Sequence, residues 1–344
     1  MKRTILASVA AAGGLALLTM NLLTPTATPP GTEPARTENQ ARPVPVTAVP
    51  EQKPEPELLS EPEPASQTWD GTHEITILID GKPQRLPLDD YLTGVVLAEM
   101  PPSFETEALS AQAVAARTLV CRRLETPKHD GAAVCGQSSC CQAYLSEPAA
   151  REKYGADWTK WESRVRSAVE ATDGLTICYQ GELIDAVYFS SAGGATEKAA
   201  AVWGGEVPYL QSVVSPDAEE RFTEETRFTT EDFHAAILRE TPDAKLDSGP
   251  AGWFGAAYRT EGGGVERISI GGIEYSGVQL RRLFSLRSTN FTISVEGDEI
   301  VIQTHGNGHR VGMSQYGAQA MALDGKDFRE ILTHYYQGVE IVPA

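Results

Sequence analysis

Positive charge is in short supply along this chain of 344 residues. Lys and Arg number 29 against 47 Asp and Glu, which gives a formal net charge of −18 at pH 7. Proteins that bind nucleic acid usually present an excess of Lys and Arg to the phosphates. The charge balance therefore argues against nucleic acid as a partner.

Cysteine is scarce as well, and its number is odd. The five cysteines cannot all pair within the chain, so at least one thiol stays free. Cys121 and Cys178 lie far apart in the sequence and are either core residues or each other's partner. The other three follow His129 at short intervals.

The loop from His129 to Tyr144 contains these three cysteines. His129, Cys135, Cys140 and Cys141 supply four soft ligands, the number that a closed tetrahedral zinc site requires. The alternative is a disulfide framework, because the compartment is expected to be oxidising. Adjacent cysteines are hard to pair with each other and awkward on a single metal. Of the two interpretations we favour zinc.

The N-terminus predicts export. Met1-Lys2-Arg3 precedes a run from Ile5 to Leu23 without any charge, close to the ~20 apolar residues that span a bilayer. A small-x-small cleavage site is poor here, so we favour an uncleaved signal anchor at residues 1–30 over a removed signal peptide. In both cases the bulk of the chain is extracytoplasmic, and in the favoured case the anchor attaches it to the cell membrane.

The next segment, residues 31–68, is rich in Pro and Glu. Half of the chain's 22 prolines lie between Pro25 and Pro64, with almost no aromatic residues among them. Such a composition cannot bury enough apolar surface to fold. We predict a disordered, extended tether.

Residues 69–344 mix helix and strand patterns and predict one α+β domain. Strands are predicted at 74–80, toward 86, and at 175–179, 184–189, 265–270 and 291–304. Helices are predicted from 89, from about 105, at 158–172 and 230–239, and from about 318. We expect a helical part with the zinc loop packed on a mainly antiparallel β-region, with a groove between them.

The first of these helices places an acid on an apolar face. Leu92, Val95, Val96 and Glu99 follow helical spacing, and Pro101-Pro102 ends the helix within a turn of Glu99. Asp89 or Asp90 is the expected N-cap. Desolvation and the helix dipole would both favour the protonated form of Glu99, which makes it a candidate proton donor. The alternative is that Glu99 faces water at a frayed helix end.

The second helix and two later loops complete the candidate site. Ala108, Ala111, Gln112, Ala115 and Ala116 form a small-residue face that another backbone can approach. The Ser/Gly loop 190–197 either contacts a ligand with its backbone or is an ordinary hairpin exit. Glycines alternate with His, Ser, Gln and Tyr in the loop 305–318, which suits a polar binding surface. The same glycines deny its two histidines a helix, so we discount a metal there.

Several motifs, taken together, resemble the stage II sporulation protein D family, which shares its domain with the amidase-enhancer proteins. The resemblance extends from about residue 70 to the C-terminus and is carried by segments 91–101, 107–118, 140–144, 209–213, 309–318 and 331–338. It implies a membrane-anchored lytic transglycosylase that cuts peptide-free glycan strands of peptidoglycan during engulfment of the forespore. It also implies two partners, a cell-wall amidase and a polytopic membrane protein of the engulfment complex.

Site residues follow from the resemblance by position. The family's catalytic acid falls on Glu99, its supporting arginine on Arg117, and its structural zinc ligands on His129, Cys135, Cys140 and Cys141. Some members have His where this chain has Cys140. The residues expected to bind substrate are Gln112, Ser190, His309, Ser314, Gln315 and Tyr316. Two positions depart from the family: Ser110 replaces a common Lys, and Arg310 replaces a common Gly.

The chemistry of glycan cleavage by one carboxylate agrees with this assignment. Ordinary glycosidases need two carboxyl groups, one as acid and one as nucleophile or base. In a lytic transglycosylase the C6 hydroxyl of the muramyl sugar attacks its own C1, so Glu99 alone can act first as acid and then as base. We expect Arg117 to orient Glu99 or to bind the sugar's lactyl carboxylate. The competing hypotheses are a noncatalytic glycan-binding module that stimulates an amidase, and a cell-wall adhesin.

Overall fold

The computed structural model describes residues 68–217 and 220–344. The predicted signal anchor at residues 1–30 and the predicted tether at residues 31–68 lie outside these ranges, apart from Thr68. Within the described ranges, no helix has both the length and the apolar character needed to cross a membrane.

The described residues form a mixed α+β structure, as the sequence predicts. The helices are α1 Trp69–Thr72, α2 Leu88–Glu99, α3 Thr106–Glu125, α4 Glu147–Tyr154, α5 Trp158–Glu170, α6 Ala199–Trp203, α7 Thr230–Glu240, α8 Gly277–Leu283, α9 Gln315–Leu323 and α10 Phe328–Tyr335. The strands are β1 Glu74–Ile79, β2 Lys82–Pro87, β3 Val134–Cys135, β4 Leu175–Tyr179, β5 Glu182–Leu183, β6 Tyr188–Phe189, β7 Thr223–Thr229, β8 Phe254–Arg259, β9 Val265–Ile270, β10 Ile273–Ser276, β11 Phe291–Glu296, β12 Glu299–His305, β13 Met313–Ser314 and β14 Glu340–Pro343.

The first hydrophobic core forms around α3. Ala108, Ala111 and Ala115 are fully buried on this helix. Their short side chains allow close approach, and α2, α5, α9 and α10 all pack against α3. This arrangement confirms the predicted small-residue face.

Three small sheets border the first core. The β1–β2 hairpin turns through Asp80 and Gly81, both at positive φ, and β3 joins β1 in parallel. Strand β4 lies between β5 and β14. The strand predicted at 184–189 is shorter than expected, because only Tyr188 and Phe189 find a partner strand and form β6. Strand β6 pairs in parallel with β13, which lies more than a hundred residues later.

A second core lies within the segment between Phe222 and His305. Sheet β11-β12-β7 and sheet β10-β9-β8 are antiparallel. They bury Phe233 and Ile237 of α7 and Leu280 of α8 in a common apolar cluster. This segment brings α8 to the rim of the site described below.

Two helix starts differ from the sequence expectation. Helix α2 begins at Leu88, with Pro87 at the N-cap position, so Asp89 and Asp90 lie in its first turn instead of capping it. Helix α9 begins at Gln315, earlier than the predicted 318. The Ser314 hydroxyl caps it by accepting a hydrogen bond from Gly317 N–H, which explains the early start.

Candidate active site

Glu99 is the last residue of α2 and is largely buried. Met100 is extended because Pro101 disfavours the helical region for the residue before it, and so the helix ends at Glu99. Ala143 N–H donates to Oε1 (2.7 Å) and Gln315 Nε2 donates to Oε2 (3.2 Å). Both carboxylate oxygens therefore have protein partners, which goes against a side chain at a frayed end in water.

The pKa of Glu99 is raised above its ordinary value, and burial is the main cause. The hydrogen bonds from Ala143 and Gln315 lower this pKa, but they do not outweigh the loss of solvent. A carboxyl group of this kind retains its proton to a higher pH than an exposed one. Glu99 is therefore suited to donate a proton.

A pair of glutamines continues the polar contacts from Glu99 into the core. Gln315 Nε2 lies 3.5 Å from Oε1 of Gln112 on α3. Gln112 is fully buried, and its Nε2 has no hydrogen-bond partner among the described residues. Gln112 thus lies directly behind Gln315, at the limit of hydrogen-bond distance.

A second polar cluster lies next to Glu99 and was not predicted from the sequence. Gln142 Nε2 donates to the Tyr91 hydroxyl (2.7 Å), and the Tyr188 hydroxyl donates to Gln142 Oε1 (2.7 Å). Burial raises the pKa of both tyrosines, and Glu99 adds to the shift. Both phenols therefore stay protonated. The Cys-Cys-Gln-Ala-Tyr motif was the available signal for Gln142; no local signal pointed to Tyr188.

The predicted metal ligands come together in one cluster. The ligand atoms of His129, Cys135, Cys140 and Cys141 all lie within 4.8 Å of one another. His129 Nε2 is 3.3 Å from Cys141 Sγ and 3.6 Å from Cys140 Sγ. A tetrahedral metal with bonds of about 2.0 Å to nitrogen and about 2.3 Å to sulfur would separate such ligands by roughly 3.5 Å. The donor set and its spacing therefore fit one metal ion.

The neighbouring thiols reach this cluster through a tight turn. The backbone N–H groups of Cys140 and Cys141 both donate to the carbonyl of Gln137, at 3.0 Å and 2.9 Å. All five cysteines are free, including Cys121 and Cys178. The disulfide framework and the Cys121–Cys178 pair are therefore not formed.

One short segment of chain connects the predicted metal ligands to the residues that contact Glu99. Cys140 and Cys141 are followed directly by Gln142, which bridges the two tyrosines, and by Ala143, which donates to Glu99. A metal held by Cys140 and Cys141 would therefore also restrain the segment that carries the donor to Glu99.

A cavity of about 450 Å³ opens beside Glu99. Its lining contains the predicted residues Glu99, Ser190, His309 and Gln315, together with Cys141 of the cluster. The other lining residues are Leu119, Ser138, Ser139, Val187, Tyr188, Phe189, Arg281, Asn307 and Gly308. Five of the predicted site residues, one of them a predicted metal ligand, are thus brought together.

His309 is held as a neutral ring at the rim of this cavity. Its Nδ1 accepts a hydrogen bond from Val311 N–H (3.2 Å), which leaves Nε2 to carry the proton. Burial and the nearby charge of Arg281 lower the His309 pKa to about 4. Its ring centroid lies 5.3 Å from that of Trp203, which is half exposed.

Three predicted substrate-binding residues lie outside the cavity lining. Gln112 is buried behind Gln315, and Ser314 is fully buried. The Ser314 hydroxyl donates to Asp217 Oδ2 (2.7 Å) and caps α9. The Tyr316 ring packs edge-on against Phe104 and Phe222. Each of them supports residues of the lining from behind or from the side.

Arg117 is placed differently from its predicted role. Its guanidinium is fully buried and forms an ion pair with Asp70, with Nε 2.8 Å from Oδ1. Its remaining hydrogen bonds go to the carbonyls of Leu175 and Val169, at 3.1 Å and 3.3 Å. These contacts join α1, α5 and β4 to α3. Among the described residues, no hydrogen bond links Arg117 to Glu99.

Comparison with known proteins gives one consistent result. The family model described as SpoIID: Stage II sporulation protein matches residues 81–179. Stage II sporulation protein D of Bacillus subtilis (strain 168) is 35% identical over 267 residues, which cover 76% of this chain and 76% of that protein. Its counterpart from Bacillus amyloliquefaciens is 35% identical over 266 residues, with the same coverage. An amidase enhancer of Bacillus subtilis (strain 168) is 29% identical over 301 residues, which cover 73% of this chain and 40% of that protein.

Proposed function

The chain belongs to the stage II sporulation protein D family, and from this premise we propose that it is a lytic transglycosylase of the cell wall. Its substrate is peptide-free glycan strands of peptidoglycan. Its product is a strand ending in 1,6-anhydro-N-acetylmuramic acid, formed during engulfment in sporulation. The cavity beside Glu99 is the glycan groove of this proposal.

One observation carries the proposal. Glu99 is the only carboxylate among the described residues that line the cavity, and burial raises its pKa. A hydrolytic glycosidase needs a second carboxyl group across the scissile bond. A transglycosylase that uses the C6 hydroxyl of its own substrate does not.

The reaction then has two proton transfers at one residue. Glu99 gives its proton to the glycosidic oxygen as the bond from C1 to that oxygen breaks. The carboxylate is stabilised by the N–H donors of Ala143 and Gln315. As the C6 oxygen bonds to C1, its hydroxyl proton passes to Glu99, and the 1,6-anhydro ring closes with no water consumed.

The metal of the proposal is zinc in a structural role. His129, Cys135, Cys140 and Cys141 would supply all four ligands of a tetrahedral site, which leaves no open position for substrate. Bound zinc would hold the turn that carries Gln142 and Ala143. It therefore supports the position of Glu99 without taking part in the proton transfers.

Location and partners complete the proposal. Residues 1–30 anchor the chain in the membrane, and residues 31–68 give the extracytoplasmic domain reach toward the wall. A cell-wall amidase supplies peptide-free glycan, and a polytopic membrane protein of the engulfment complex is the second partner. The similarity to an amidase enhancer supports the link to an amidase.

That same similarity favours a second candidate function, a noncatalytic glycan-binding module that stimulates an amidase. Mass spectrometry of peptide-free glycan after incubation with the full-length chain separates the two candidates. We expect anhydro-muramyl ends with wild type and with Glu152→Gln, an exposed control on α4, and none with Glu99→Gln. Intact glycan with all three proteins, together with a stimulated amidase, would favour the binding module.

A further inference from the structure

Arg281 is the one Lys or Arg among the described residues that line the cavity. It lies on α8, is partly buried, and faces the same space as Glu99 and His309. Its Nε donates to the carbonyl of Leu286 (3.2 Å). Within the described part of the chain, no carboxylate lies at ion-pair distance from its guanidinium.

The two fully buried arginines of the described residues each form an ion pair with a carboxylate. Arg117 is paired with Asp70, and Arg310 is paired with Glu197. Arg281 is only partly buried, but its partial burial lowers its pKa, and no carboxylate of the described residues lies at ion-pair distance to offset that loss of solvent. An arginine nevertheless remains charged at neutral pH. The cavity therefore holds a positive charge that an anionic ligand can neutralise.

The position of Arg281 is set by the second core. Helix α8 starts with a capping box in which Ser276 and Gln279 bond each other's backbone. Leu280, the preceding residue, is fully buried in the second apolar cluster. The packing and capping of α8 thus hold Arg281 in the lining of the cavity.

We propose that Arg281 binds the lactyl carboxylate of N-acetylmuramic acid and makes the cavity select glycan strands whose muramyl residues carry no peptide. This inference rests on the proposed function, because it takes glycan as the ligand. It also assigns to Arg281 the role that the sequence suggested for Arg117, which is enclosed by Asp70 and the carbonyls around it.

The chemistry explains the selectivity. Removal of the peptide by an amidase leaves a free carboxylate on each muramyl sugar, whereas an attached peptide converts the same group into a neutral amide. A guanidinium binds a carboxylate through two parallel N–H donors, and it gains far less from an amide. His309 does not compete for the anion, because it is neutral above pH 4 or so. The same residue that binds the amidase product therefore discriminates against the amidase substrate.

Binding to the cleavage-deficient Glu99→Gln full-length chain tests the inference. The first ligand is a peptide-free tetrasaccharide of alternating N-acetylglucosamine and N-acetylmuramic acid, and the second is its methyl ester at both lactyl groups. Calorimetry is expected to show that adding Arg281→Gln weakens binding of the free acid by roughly ten- to a hundredfold. Binding of the ester should change less than about twofold. Arg281→Lys is expected to give an intermediate loss of affinity, because lysine keeps the positive charge but cannot offer two parallel N–H donors to one carboxylate.

Arg282→Gln is the matched control. Arg282 is the next residue on α8, is exposed, and lies outside the cavity lining. Arg282→Gln removes the same charge as Arg281→Gln. Equal losses of affinity for the free acid in the two variants would therefore overturn the inference in favour of a general charge effect. Equal losses for acid and ester would overturn it too. Thermal unfolding excludes misfolding: Arg281→Gln removes an uncompensated cation and should not lower Tm.

The inference and the proposed function can fail separately. Wild type could leave glycan uncleaved while the Arg281-dependent preference for the free acid persists. That result would contradict the transglycosylase activity and support carboxylate binding by Arg281. Wild type could instead form anhydro ends while the free-acid tetrasaccharide and its methyl ester bind equally well. That result would support the reaction and contradict the role of Arg281.

Discussion

The raised pKa of Glu99 has opposite effects on activity and on stability. Its raised pKa means that the folded chain keeps a proton that the unfolded chain has already released. Between the ordinary carboxyl pKa of 4.5 and the raised value, the folded state binds more protons, so stability falls as pH rises through that window. The property that makes Glu99 an acid therefore destabilises the fold at neutral pH.

Replacement of Glu99 should show this directly. We predict that Glu99→Gln is more stable than wild type by about 1 kcal/mol at pH 8, with the difference shrinking toward pH 4. Urea unfolding across pH 4–8 measures the difference, with Glu152→Gln as the exposed control. A constant difference across this range would contradict the raised pKa.

Arg310 stands at a backbone position that suits glycine. Its φ of 66° lies in the left-handed region, which costs about 1–2 kcal/mol for a residue with a side chain. Its guanidinium pairs with Glu197 (3.0 Å) and donates to the carbonyls of Ala192 and Ala195. These buried contacts outweigh the strain.

We therefore predict that Arg310→Gly, although glycine suits this backbone conformation, destabilises the chain by about 2 kcal/mol. Breaking a buried pair costs about 3–5 kcal/mol, and relief of the strain returns about 1–2 kcal/mol. Urea unfolding of Arg310→Gly, Glu197→Gln and the double variant measures the effect. Once either partner of the pair has been replaced, replacing the other should lower the free energy of unfolding by much less. An Arg310→Gly protein as stable as wild type would contradict the account.

At the scale of elements, the loop 129–144 joins the metal cluster to the acid. Cys140 and Cys141 lie in the cluster, and two residues later Ala143 N–H donates to Glu99. If zinc binds here as proposed, its loss should therefore disturb the proposed reaction, although the four protein ligands would leave no open position for substrate.

We predict one zinc per chain by elemental analysis. Removal of zinc by a chelator, or Cys141→Ser, should lower Tm and reduce cleavage at least tenfold, since loss of supporting contacts around a metal site commonly costs 10- to 100-fold. Cys121→Ser is the control, because Cys121 lies outside the cluster and burial raises its pKa to about 11. A chelated chain with full activity would refute the link between the loop and Glu99.

Local sequence signals reached only part of this site. The spacing of Leu92, Val95 and Glu99 with Pro101 was enough to predict α2 and to place the acid at its end. The cluster of one histidine and three cysteines was enough to predict a metal site. Both signals lie within short segments, where helical period or ligand spacing acts directly.

Contacts across long sequence distances were beyond such signals. The partner of Arg117 is Asp70, 47 residues away, and nothing local marks that pair. Parallel pairing of β6 with β13 brings Tyr188 and Ser190 beside Gln315. Only the folded chain defines that pairing, so Tyr188 was missed, and Ser314, which was expected to bind substrate, is buried.

At the scale of the whole described structure, the cavity depends on both cores. Glu99 and Gln315 come from the first core, and Arg281 comes from α8 beside the second. The sequence predicted an α+β fold but not a second core between residues 222 and 305, because hydrophobic patterns identify strands one at a time and do not show which strands pair or which helices they cover. The positive charge of the cavity rim consequently had no sequence signal.

The central claim is that one buried carboxyl group cleaves glycan without water, and the mass of the product tests it most directly. Peptide-free glycan is incubated with the full-length chain in ¹⁸O-labelled water, and the new ends are analysed by mass spectrometry. The account predicts ends that are one water lighter than reducing ends and carry no label, and that are absent with Glu99→Gln. Labelled reducing ends that depend on Glu99 would show hydrolysis and contradict it.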